Sequence, residues 1–188
     1  MIQNRNLSLL EENTVVLVVI DVQGNLAMAM HGRERLFDNL VRLITGIQVF
    51  SIPILWTEQN PKKLGPTIPS IAQAMPNMLH PIPKLSFSCF REKAFADALI
   101  ATQRFDVVVA GIEAHICVYQ TAFDLMSAGY RVHVIADGVA SRTPKNCSLA
   151  LQCMRDAGAR LTSVEMLLFE LLKTADSDRF KEIARIVK

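Results

Sequence analysis

Asp21, Lys84 and Cys117 are the residues of this sequence whose types and placement could support covalent chemistry. Asp21 directly follows the β-branched block Val15-Val16-Leu17-Val18-Val19-Ile20. Lys84 follows a short extended stretch near His80–Ile82. Cys117 lies just past Val107-Val108-Val109-Ala110-Gly111, at the opening of a helix-period segment. A thiol becomes a useful nucleophile when it ionises, and the unpaired N–H groups of a helix start favour the thiolate. Lys84 would add positive charge beside it and Asp21 would accept its proton, giving an activated nucleophile with its own base. Taken singly, each has a plainer reading: a strand-end cap, a solvated side chain and a small buried hydrophobe.

The elements that must position these groups alternate along the chain. Val15–Ile20 reads as a strand covered on both faces. Leu36, Leu40, Leu43, Ile44 and Ile47 then share one helical face, and Pro53–Thr57 is a second strand. Residues 58–88, rich in proline and glycine, form an excursion with at most a short third strand at His80–Ile82. Phe90–Thr102 and His115–Ala128 are helical, the latter stopped by Gly129 where a left-handed C-cap is wanted. Between them Asp106–Ala110 is a buried strand, and Arg131–Ala136 is the next. Thr143-Pro144 supplies an N-cap and a first-turn proline for a helix ending at Gly158. A strand at Ala159–Leu161 leads to Thr162-Ser163-Val164-Glu165, which fits a capping box, and Asp178–Val187 is a last helix. Strands alternating with helices imply parallel β-α-β units in a three-layer α/β/α sandwich, with sites beyond the carboxyl ends of the strands.

Composition narrows the class. The chain has 188 residues, 51% hydrophobic and 20% charged, which excludes intrinsic disorder. A length of this order buries about 70% of the unfolded surface in one core, so a single domain spanning 1–188 is expected. The 20 Lys+Arg against 18 Asp+Glu leave +2, too little to imply nucleic acid or an anionic membrane as partner. No apolar run approaches the roughly 20 residues of a bilayer span, and no signal-peptide stretch opens the chain. Cys89, Cys117, Cys147 and Cys153 show no paired redox or zinc spacing, so a reducing, cytoplasmic setting is expected. Cys147, Ala150, Met154 and Ala157 recur at helical steps as a core-facing stripe, and Cys89 and Cys153 are also assigned to structure.

Read together, four stretches resemble the isochorismatase-like cysteine hydrolases. They are Val-Val-Ile-Asp21-Val-Gln23, Lys84-Leu-Ser86-Phe87-Ser88, Gly111-Ile-Glu-Ala-His-Ile-Cys117-Val, and Val134-Ile-Ala-Asp137-Gly-Val-Ala-Ser141-Arg142. The resemblance runs from about residue 12 to residue 172. It implies a Rossmann-like six-stranded parallel sheet and an Asp–Lys–Cys triad falling on Asp21, Lys84 and Cys117. It also implies a cis bond at Ile112–Glu113 and an oxyanion hole from the backbone N–H groups of Glu113 and Cys117. Thr57-Glu58-Gln59-Asn60-Pro61 and Leu64-Gly65-Pro66-Thr67 look most like the isochorismatase domain-containing proteins of that superfamily. Relatives form dimers or larger assemblies, so a homo-oligomer is expected.

Departures from the family are equally informative. Nicotinamidases of this superfamily carry an acidic and histidine metal cluster after the second strand. The matching stretch here, Trp56 to Gly65, has no histidine. His31, His80, His115 and His133 lie far apart, so neither metal nor cofactor is expected. Cys117 argues against the vinyl-ether-cleaving members that often lack a cysteine. Gln23, Glu58, Phe87 and His115 are candidates to line a substrate pocket. Their alternatives are a loop-orienting amide for Gln23, core packing for Phe87 and a helix cap for His115.

The leading expectation is a hydrolase that cleaves an amide or related C–N bond of a small molecule through a thioester on Cys117. The rival is a non-catalytic α/β protein that keeps the fold to bind or interact. A nucleotide-binding Rossmann protein is third, because Asp21-Val22-Gln23-Gly24-Asn25 stands where a Gly-x-Gly-x-x-Gly would follow the first strand.

Overall fold

In the computed structural model, which describes residues 8–188, the apolar block Val15–Ile20 is β1, buried at every position. Five more strands flank it: β2 (Ile54–Gln59), β3 (Ile82–Lys84), β4 (Asp106–Ile112), β5 (Arg131–Ala140) and β6 (Arg160–Thr162). All pairings are parallel, in the order β3-β2-β1-β4-β5-β6. The chain therefore winds outward from β1 through β2 and β3, then returns to build β4, β5 and β6 on the other side. The winding reverses between β1 and β4, and a crevice beyond the carboxyl ends of an open parallel sheet forms at such a reversal.

The helices are α1 (Gly24–Met28), α2 (Arg33–Val49), α3 (Pro61–Leu64), α4 (Pro69–Ala74), α5 (Lys93–Ala101), α6 (Tyr119–Ser127), α7 (Pro144–Asp156), α8 (Val164–Leu172) and α9 (Phe180–Val187). Strand alternation divides the core between the two faces of the sheet. Val15, Leu17 and Val19 pack with Leu40 and Ile44 of α2, Ile71 of α4, Leu167 and Leu171 of α8, and Ile183 of α9. Val16, Val18 and Ile20 pack with Phe95 and Leu99 of α5, Ala122 and Leu125 of α6, and Met154 of α7. The result is the expected three-layer α/β/α sandwich. Among the described residues, no helix is long and apolar enough to cross a membrane.

Several boundaries differ from those expected. The third strand is Ile82–Lys84, so Lys84 is its last residue and does not merely follow it. The strands β4 and β5 run on to Ile112 and Ala140, because parallel neighbours continue their ladder past the apolar runs. The excursion after β2 also contains α3 and α4, each opened by a first-turn proline. Thr143 caps α7 as expected, accepting from Asn146 N, but α8 is capped by Ser163, which accepts from Met166 N. Thr162 stays in β6, so the capping position is one residue later than the capping-box reading places it. On α7 the buried stripe ends at Met154, and Ala157 is exposed where the helix has already closed.

Candidate active site

Asp21 turns the chain out of β1 with φ 54°, a left-handed conformation that aspartate tolerates better than most residues. Its N–H still donates to Thr57 O at 3.2 Å, extending the β1–β2 ladder. The carboxylate is wholly enclosed. Thr57 Oγ1 donates to Oδ1 at 2.9 Å, and Lys84 Nζ lies 2.6 Å from Oδ2. Burial raises the Asp21 carboxyl above its ordinary range, with Lys84 and its hydrogen bonds pulling the other way.

Lys84 closes β3, where its register neighbour on β2 is Gln59. Its Nζ also donates to Gln59 Oε1 at 2.6 Å, Ser86 O at 3.2 Å and Phe87 O at 3.1 Å. Burial alone would lower its pKa, but Asp21 and the nearby thiols more than offset that and hold the ammonium form. Lys84 is thus no solvated side chain. It is a buried cation whose acceptors are all supplied by the fold.

Cys117 sits in a wide turn of π-helix, Ala114–Val118, between β4 and α6. Ile116 N and Val118 N both donate to Glu113 O, and the Ile112–Glu113 peptide is cis. Burial, the Asp21 carboxylate and the Lys84 ammonium are the influences that act most strongly on the Cys117 thiol. Exposure is 6% for Cys117, against 0% for Asp21 and 2% for Lys84, so the sulfur is the group of the three nearest to solvent. One expectation is corrected here. The helix-start argument favours a resting thiolate, yet burial and the Asp21 carboxylate push this thiol well above its ordinary range despite Lys84. Both influences favour the protonated sulfur at rest.

Of the four pocket candidates, Gln23 bonds to the loops through both amide atoms and Glu58 through one carboxylate oxygen. Gln23 Nε2 donates to Gln59 O at 3.1 Å and Gly65 O at 2.7 Å, while Oε1 accepts from Gln59 N at 2.6 Å. Glu58 Oε1 accepts from Thr67 N and Thr67 Oγ1. Strand alternation puts Glu58 with Trp56, on the opposite side of the sheet from Leu55 and Cys117. Both side chains hold loops in place. Phe87 is half-exposed and not in the core, beside the carbonyl that holds Lys84. His115 does not cap its helix. Its Nδ1 lies 2.9 Å from Ser141 Oγ and its Nε2 3.4 Å from Asn146 Nδ2. Glu113, beside it, accepts from Arg142 Nε at 2.9 Å.

Two neighbours of the cluster escape the sequence reading, Thr57 and Cys89. Thr57 is two residues after Leu55, hence on the Cys117 side of β2, and that spacing was the available signal. Cys89 is fully buried, with Sγ 3.6 Å from Thr57 Oγ1, and burial together with Asp21 pushes its thiol up to about 11. Among the described residues, no three His, Cys, Asp or Glu side chains are grouped to share a metal ion.

Comparison with known proteins matches residues 15–166 to the isochorismatase domain. Isochorismatase domain-containing protein 2 of Danio rerio is 33% identical over 172 residues, covering 92% of this chain and 86% of its own. A solved structure described as the MAR1 ribonuclease from Caenorhabditis elegans superposes with a TM-score of 0.90 at 32% identity, covering 96% and 92% of the two chains. The Escherichia coli YcaC product, described as an octameric hydrolase of unknown specificity, superposes at 0.89 with 21% identity, over 95% and 88%. A family model over most of the chain, a relative at one-third identity and the same sheet lead to one assignment: the chain belongs to the isochorismatase domain family.

Proposed function

We propose that this chain is a single-domain cysteine hydrolase that cleaves an amide or related C–N bond of a small molecule, with Asp21, Lys84 and Cys117 as its triad. Family membership supports a hydrolase. The observation that carries the finer reading is a sealed Lys84–Asp21 ion pair set against a thiol at the switch point of the sheet.

The chemistry follows from charge balance. Burial that raises Asp21 makes it a stronger proton acceptor. Moving the thiol proton to Asp21 shifts one negative charge from carboxylate to sulfur, and Lys84 remains the counter-ion to either. The sulfur attacks the substrate carbonyl, with the backbone N–H groups of Glu113 and Cys117 proposed to hold the oxyanion. The Asp21 proton passes to the leaving nitrogen as the C–N bond breaks, giving a thioester and free amine. Water, deprotonated by Asp21, then cleaves the thioester to carboxylate and restores the thiol. Phe87 and His115 remain proposed pocket residues.

A ribonuclease reading, suggested by the name of the nematode structure, fits less well. Phosphodiester chemistry calls for cations that reach phosphate, and Lys84 is enclosed among acceptors of its own chain. We also propose a homo-oligomer, to which the octameric description of YcaC lends support, and a cytoplasmic setting.

The test is a panel of amides and ureides, followed by ammonia or amine release, with Cys117→Ala as the control. Release by the parent alone is expected. Binding without release by either protein would favour the non-catalytic rival.

A further inference from the structure

The buried cluster extends past the triad into a second thiol. Thr57 Oγ1 lies between two partners, 2.9 Å from Asp21 Oδ1 and 3.6 Å from Cys89 Sγ. A hydroxyl carries one proton, and here it points to the carboxylate. Thr57 therefore meets Cys89 with a lone pair, and the Cys89 S–H must be the donor. The opposite arrangement, a Cys89 thiolate accepting from Thr57, would strip Asp21 Oδ1 of its donor and put a second anion beside it. Cys89 is fixed in turn, because its backbone N–H donates to Thr57's counterpart on α6, Thr121 Oγ1, at 2.9 Å. Thr57, Cys89 and Thr121 are all fully buried, so no water competes for these bonds.

We propose that Thr57 and Cys89 are positioning residues, a relay from Cys89 S–H through Thr57 O–H that keeps a donor on Asp21 Oδ1 and leaves proton exchange to Oδ2. This rests on Asp21 being the base. The titratable groups facing Asp21 are Lys84 from β3, Cys117 from the turn after β4 and Cys89 from the 3-10 turn Cys89–Arg91. The relay makes a specific demand on pH behaviour. A donor to a charged acceptor stabilises the carboxylate, so its loss must raise the pH at which Asp21 titrates.

The Asp21 carboxyl is followed by NMR in protein labelled with 13C at aspartate Cγ, its signal assigned by disappearance in Asp21→Asn. Thr57→Val, which keeps shape and removes the hydroxyl, is expected to move the midpoint up by about one pH unit or more. Thr57→Ser is expected to return it to the parent value, which a purely packing role would not do. Cys89→Ala is expected to shift it in the same direction by less, and Cys89→Ser to restore it. An unmoved midpoint in Thr57→Val overturns the relay, and one unmoved in Cys89→Ala removes Cys89 from it. Failure of the hydrolase reading is separate, since it shows as no amine release by the parent, or release that survives Cys117→Ala, while the titration shifts stand.

Discussion

Lys84 Nζ lies 2.6 Å from Asp21 Oδ2, and neither side chain is exposed to solvent. Two ionised groups leave water only when each supplies what the other has lost. β1 and β3, which carry them, are separated by β2, so the pair reaches across the C-terminal end of a strand. It is the electrostatic floor on which Cys117 rests.

Replacing Lys84 with Met is therefore expected to cost about 3–5 kcal/mol at pH 7, as the carboxylate is left buried without its counter-ion. The sign of its pH dependence follows. Without Lys84 the folded pKa of Asp21 rises further above the unfolded value, so the folded state holds an extra proton and loses stability as pH rises. The deficit against the parent is greatest at pH 7 and shrinks toward pH 5. Urea unfolding at both pH values reads it. An equal deficit at both would mean that Asp21 is not the group left uncompensated.

Thiol chemistry gives a second prediction. Burial and Asp21 hold Cys117 as a thiol, so its alkylation by iodoacetamide should climb roughly tenfold per pH unit between pH 7 and 9. Cys89, fully buried and pushed up to about 11, should stay unlabelled in the native protein and react only in urea. Peptide mass spectrometry separates the four cysteines. A Cys117 rate that is flat over this range would instead point to a persistent thiolate.

How much of this was legible in the sequence differs from residue to residue. Val15–Ile20 is an unbroken apolar block, β-branched at every position but Leu17, so both the strand and the exit of Asp21 could be read directly. Cys117 was legible for the same reason, at the end of β4. Lys84 was displaced because prolines 76, 81 and 83 leave no alternation from which to set a register. Thr57 and Cys89 were missed because periodicity assigns a face but not the neighbours on it. Gln23 and Glu58 hold loops in contacts that the sequence does not show, since polarity alone does not separate a substrate contact from a loop clamp. The ionisation of Cys117 was misread, since a helix start is visible in sequence and the burial that overrides it is not.

Close approach of β1 and β4 supplies a third prediction. A Cβ on Gly111, at φ +115°, would lie 2.1 Å from Ile20 O and 2.6 Å from Ile20 N. Both are backbone atoms of the strand that delivers Asp21, so neither can turn aside. Gly111→Ala is expected to cost more than about 3 kcal/mol or to prevent folding. Gly32→Ala is the control, in the left-handed region at φ +66° with nothing within 4 Å of the added carbon, and should cost only about 1 kcal/mol of backbone strain. Urea midpoints compare the two.

The last prediction concerns the other end of the sheet, where Asp106 opens β4. Its Oδ1 accepts from Arg131 Nε at 2.7 Å, its Oδ2 from Arg131 Nη2 at 2.5 Å, and His133 Nε2 is 3.0 Å from Oδ1. Burial would raise this carboxyl, but the bidentate Arg131 and the adjacent His133 outweigh it and hold it well below the usual carboxylate range. A depressed carboxyl contributes stability that is fully present above its unfolded pKa, about 3.9, and is lost as pH falls toward the folded value. Asp106→Asn should therefore be less stable than the parent at pH 7, by about 2 kcal/mol, a discounted figure because the Arg131 side chain is half-exposed. The difference should narrow as pH is taken from 4 to 2. Val15 and Arg131 are the register partners of Asp106, which places it at the strand starts, a full strand length from Asp21. Alkylation of Cys117 at pH 7 should therefore match the parent. A variant whose deficit stays constant down to pH 2 would show that Asp106 supports the fold by shape and not by charge. One that changed Cys117 labelling would couple the two ends of the sheet.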